Sequence, residues 1–134
     1  MRKTLVLRAL LLVLFIFAVN ALAMKFYWYT AMLWFDMPMH FLGGVFLALA
    51  TGVCLSRQLL EKPFRQVLPI LLISVLCFGV LWELFEYSVQ TVIRFAQLAN
   101  IPDSFSDLFF DMLGGSIGAI FVYRLKRRYN RARE

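Results

Sequence analysis

Four apolar runs, each long enough to cross a bilayer as a helix, take up most of this sequence: residues 6–24, 37–55, 67–90 and 104–123. A helical span needs about 20 mostly apolar residues, and a backbone in lipid must satisfy its hydrogen bonds within itself. With 62% of its 134 residues hydrophobic, the chain has too little polar surface for a water-soluble domain of this size. The expected fold class is all-α: a polytopic membrane helical bundle of about four transmembrane helices. It forms a single domain, 1–134, whose residues 124–134 are a basic, frayed tail.

The charges orient the bundle. Twelve of the fourteen Lys and Arg residues fall in the N-terminal segment, in the 56–66 loop or after Tyr123, leaving only Lys25 and Arg94 for the opposite side. The positive-inside rule therefore puts both termini in the cytoplasm of a multi-pass protein of the bacterial cytoplasmic (inner) membrane. Basic residues gathered at helix ends suit a membrane surface, so a membrane lipid is the expected partner and nucleic acid is not. Ala21-Leu22-Ala23 fits a signal-peptidase site, but a long run leading into further spans favours an uncleaved first helix. Cys54 and Cys77 lie in apolar runs without zinc or disulfide spacing and read as packed thiols.

The acids are distributed the other way. Of eight, only Glu61 and Glu134 fall on the basic side, while Asp36, Glu83, Glu86, Asp103, Asp107 and Asp111 fall on the outer side with the single histidine, His40. Asp36/His40 and Asp107/Asp111 are spaced i, i+4, and Glu83/Glu86 i, i+3, with Gln90 continuing the last stripe. At about 1.5 Å rise per residue, His40, Glu83 and Asp111 form a deeper layer and Asp36, Glu86 and Asp107 a shallower one. Asp36 can cap the second span, and Ser104 with Asp107 can form a capping box on the fourth. Glu83 and Glu86 sit toward a helix C-terminus, where the macrodipole opposes them. A charge at membrane depth costs about 2.5–3.5 kcal/mol on insertion scales and marks a functional site by default.

Small residues extend two of these stripes: Gly44, Ala48 and Gly52 follow His40, and Gly115 and Ala119 follow Asp111, beside Gly114-x-x-x-Gly118. Such faces let helices approach closely in lipid, so the last three spans should meet around an outward-opening polar pocket with the first span as support. One imidazole among carboxylates suits a divalent metal ion, with His40, Glu83 and Asp111 as ligands and Asp36, Glu86, Glu83 and Asp107 as acid–base groups. Without metal, the same carboxylates would share protons. No nucleophile elbow or phosphate-binding loop is present.

The ordered motifs Asp36-x-x-x-His40-Phe41, Trp82-Glu83-x-x-Glu86 and Asp107-x-x-x-Asp111-Met112-x-Gly114-x-x-x-Gly118 resemble the VanZ-like superfamily, closest to its YjdF-like branch. Glu86 and Asp111 stand where the VanZ pattern has Gln and Asn. The resemblance covers Asp36 to Gly118 and implies a small bacterial helical membrane protein, associated in VanZ itself with glycopeptide tolerance. The expectation is a site that binds or processes an envelope lipid or its head group. The alternative is a non-enzymatic protein, acting as a homo-oligomer or with an envelope partner protein, whose acids stabilise the bundle. A proton or ion pathway is disfavoured, because the inner halves of the last three spans offer almost no polar residues.

Overall fold

The computed structural model describes the backbone of residues 1–32, 34–93 and 101–132, and the side chains of 1–32, 34–89 and 104–132. Arg94, the side chains of Gln90 and Asp103, and most of the 91–102 connection lie outside the described residues. Among the described residues six helices follow in order: α1 (Arg2–Lys25), α2 (Trp28–Ala31), α3 (Asp36–Cys54), α4 (Ser56–Leu59), α5 (Phe64–Ile93) and α6 (Ile101–Arg131). The four long ones, α1, α3, α5 and α6, are long and apolar enough to cross a membrane, and no strand occurs among the described residues.

Several ends differ from the sequence expectation, each for a local reason. Asp36 occupies the first turn of α3, one residue inside the N-cap position held by Phe35, where its carboxylate gains from the dipole. Ser104 lies inside α6, which begins at Ile101, so it caps nothing. Helix α5 runs on to Ile93, which places Glu83 and Glu86 two turns or more from its end and weakens the dipole penalty. Helix α6 continues past Tyr123 to Arg131 because its last turns are docked. Buried Lys126 donates to the Lys62 carbonyl, and Asn130 Nδ2 donates to the Leu60 carbonyl at 3.1 Å. Cys54 and Cys77 are exposed, not packed, on outward faces of their helices.

Glycines set the packing. A Cβ on Gly44 would overlap the backbone carbonyl of Asp111, and one on Gly114 would overlap the carbonyl of Phe41. Farther along, Gly118 meets Ala48 and Gly52 meets Val122, so α3 and α6 lie parallel with their backbones touching. Helix α5 runs antiparallel beside α6, with Gly79 against Asp111 and Gly115 against Val75. Gly115 thus faces α5, whereas Gly114 and Gly118 face α3. Helix α1 packs on the outside of α3.

The extended apolar cluster lies in the half of the bundle that carries the termini, while Ala23 and Phe35 are buried at the other end. Leu5, Ala9, Leu49, Leu59, Val67, Leu71, Ala119 and Val122 form one buried cluster there. Arg8 lies with its guanidinium 4.5 Å from the ring centre of Phe121, tying α1 to α6 at the same level. The opposite half contains the acids.

Two substitutions separate these packing roles. Gly114→Ala places a methyl on backbone that cannot yield, and should lower stability by about 1–3 kcal/mol. Gly115→Ala meets the buried Val75 side chain at 2.9 Å, which must shift, and this offsets part of the gain of about 1 kcal/mol in helix propensity. Thermal unfolding in detergent should therefore rank Gly115→Ala well above Gly114→Ala.

Candidate functional site

His40 is the centre of the polar half. It is 8% exposed and sits one turn into α3, where Gly44 on the next turn brings α6 against it. Its Nε2 lies 3.8 Å from Asp36 Oδ1 on its own helix and 3.8 Å from Asp107 Oδ2 on α6. Its Nδ1 lies 3.5 Å from Asp111 Oδ2. Asp107 and Asp111 are 4% and 5% exposed, so the imidazole is held between carboxylates largely shielded from surroundings.

Asp111 is enclosed by glycines on two helices. Its backbone meets Gly44, its Oδ1 would lie 3.7 Å from a Cβ on Gly43, and its Oδ2 would lie 2.8 Å from one on Gly79. Any side chain at Gly79 would displace the carboxylate that faces the imidazole. The sequence pattern contains this signal, because Gly79 lies four residues before Glu83 on the same stripe of α5.

The electrostatics of this arrangement require a shared proton or a cation between Nε2 and its two carboxylates. If Nδ1 carries the imidazole proton and donates it toward Asp111, a neutral ring presents its Nε2 lone pair to two carboxylates. A proton on Nε2, giving an imidazolium, removes that clash; so does a divalent ion. Three carboxylates and an imidazolium leave two net negative charges, whereas three carboxylates, a neutral ring and a divalent ion leave one. Asp36, His40 and Asp107 each offer a ligand atom, all within 4.8 Å of one another. Asp111 then occupies the outer position that fixes the tautomer and orientation of a metal-bound histidine.

This donor set differs from the trio of His40, Glu83 and Asp111 read from the sequence. Helix periodicity gave the depth of each side chain but not the direction in which the α6 carboxylates turn, and Asp107 reaches the nitrogen that Glu83 was expected to share. Glu83 instead lines an adjoining open groove with Val80, Leu84, Tyr87, Ser104 and Leu108. Its Oε1 is buried and accepts no hydrogen bond among the described residues.

Tyr29, absent from the sequence-derived site, closes the outer layer. The turn leading to it passes through Tyr27 at φ 57°, a left-handed conformation that lets the chain reverse after α1. The Tyr29 hydroxyl donates to Asn20 Oδ1 at 2.7 Å, and its ring packs edge-on to Phe35, with centroids 5.1 Å apart. Burial raises its pKa above the usual 10, and the charges of Asp36 and Glu86 raise it further. Two of the three acids of the shallower layer, Asp36 and Glu86, therefore lie within electrostatic reach of one phenol. Tyr29→Phe difference spectra should place its ionisation above the ordinary tyrosine range. Because burial is the larger cause, the double substitution Asp36→Asn/Glu86→Gln should bring the midpoint only part of the way back.

A family described as predicted membrane protein (DUF2238) matches residues 2–128, nearly the whole chain. No curated protein and no solved structure matches it.

Proposed function

Since the chain belongs to the DUF2238 family of predicted membrane proteins, we propose that its polar half is a divalent-cation site for the head group of an envelope lipid. Asp36, His40 and Asp107 hold the ion, and Asp111 holds His40. The observation that carries this reading is the pairing of Nε2 with two buried carboxylates while Nδ1 is committed to a third. An ion there would polarise a phosphoryl or carbonyl oxygen of a head group entering from the membrane face. Glu83 and Glu86, on the neighbouring helix, are placed to take or give protons. The distribution of Lys and Arg turns this end to the outer leaflet of the bacterial inner membrane. The three acidic motifs give the same residues their VanZ-like, YjdF-like character, which is consistent with an envelope role.

A second reading has one specific observation in its favour. The contacts of 3.5 and 3.8 Å are those of an ion-paired imidazolium, which would join α3 to α6 with no ligand. The protein would then be non-enzymatic and act through copies of itself or an envelope partner.

Metal analysis of the purified protein separates the two. The first reading expects one divalent ion per chain, lost in Asp36→Asn and Asp107→Asn with helicity retained. Glu83→Gln should keep the ion, since Glu83 lies outside the donor set; loss there would restore the trio read from the sequence. Metal-free protein with unchanged thermal stability on adding magnesium, manganese or zinc would establish the imidazolium reading.

A further inference from the structure

We infer that the open groove between α5 and α6 binds a membrane lipid bearing a primary ammonium group, with Glu83 as its anchor. This rests on, and narrows, the reading of the neighbouring cluster as a head-group site.

The groove encloses about 280 Å³. Val80, Leu84 and Leu108 supply apolar walls, while Glu83, Tyr87 and Ser104 supply the polar groups. Val80, Leu84 and Tyr87 are 40%, 56% and 48% exposed on a helix that crosses the membrane, so the groove opens sideways toward lipid. An occupant arriving by that route comes from the bilayer.

Charge selects among lipids. Glu83 Oε1 is buried without a donor among the described residues, and a carboxylate oxygen in a low-dielectric setting carries a penalty until a donor reaches it. Among the described residues no Lys or Arg lines the groove. The described side chains of this end comprise five acids, Asp36, Glu83, Glu86, Asp107 and Asp111, against Lys25 and His40. That field repels a purely anionic head group and favours one presenting a cationic donor. An ammonium beside Glu83 forms a charge-assisted hydrogen bond, and an acyl chain covers the apolar walls.

The groove borders the site across Leu108 and Gly79. Leu108, one of its walls, would lie 3.0 Å from a Cβ on Gly79, and Asp111 Oδ2 would lie 2.8 Å from the same atom. A zwitterionic lipid held by its ammonium at Glu83 therefore has its phosphate next to the carboxylate cluster, where a divalent ion would meet it.

The test compares phosphatidylethanolamine with phosphatidylglycerol of matched acyl chains, presented to the full chain in mixed micelles and counted by native mass spectrometry. Wild type should retain the ethanolamine lipid several-fold over the glycerol lipid. Glu83→Gln should abolish that preference. Leu84→Trp, at a more than half-exposed position that tolerates change, should reduce retention of both by filling the groove. Equal retention of the two lipids by wild type would mark ordinary lipid contact and overturn the proposal. So would a preference that survives both substitutions, or equal retention of diacylglycerol, which offers only a hydroxyl. Asp36→Asn distinguishes the two levels: lost metal with lipid preference intact keeps the groove separate from the cation site. Metal bound without any lipid preference refutes the groove alone, and absence of both refutes the functional reading as a whole.

Discussion

A carboxylate inside a bilayer has to be answered by a neighbouring helix, and here the answer is possible only at the separation that Gly44 and Gly114 permit. Each removes a side chain where the other helix presents a backbone carbonyl. Lipid tails do not drive apolar helices together, so contact of this kind must come from close packing and polar pairing. The α3–α6 seam has both, one above the other: touching backbones along its length and His40 with Asp107 and Asp111 at its end. The polar groups would be intolerable without the glycines, and the glycines alone would leave the outer end of the seam without a specific register.

Much of this was legible in the residues before any coordinates. Apolar run length fixed the number of spans, and i, i+4 spacing put Asp36 with His40 and Asp107 with Asp111 at matching depth. The small-residue stripe after His40 identified the face that α6 packs on. What remained hidden was rotational. Gly114 and Gly115 are neighbours in sequence yet face different helices, a division that the sequence reading, which put both on one interface, did not make. The same uncertainty of a few tens of degrees decides whether Glu83 or Asp107 reaches the imidazole. Helix ends were hidden too, since Lys126 and Asn130 dock on carbonyls 64 and 70 residues away, which no local pattern encodes.

The two halves of the bundle obey different rules. Near the termini, fully buried Leu5, Leu59, Val67, Leu71 and Val122 make an ordinary close-packed core. Toward the other end, among the described residues, the buried His40, Asp107 and Asp111 lie with glycines close around them, beside buried Ala23 and Phe35. The main apolar cluster and the polar cluster thus occupy separate layers. A substitution among the acids leaves the apolar half to hold the helices together, which is why isosteric changes there are compatible with a folded protein.

Helix α6 carries both the two acids and the docked end without interruption. From Asp111 to Lys126 is about 22 Å along one rigid rod, most of the thickness of the hydrocarbon layer. The height and azimuth of the two carboxylates are consequently set from the far side of the bilayer, by the grip of the 60–62 loop on Lys126 and Asn130. Inserting a single residue between the two ends would turn them by about 100° relative to each other. Helix α6 therefore acts as a ruler, and its length between these two points is as constrained as the identity of the acids it holds.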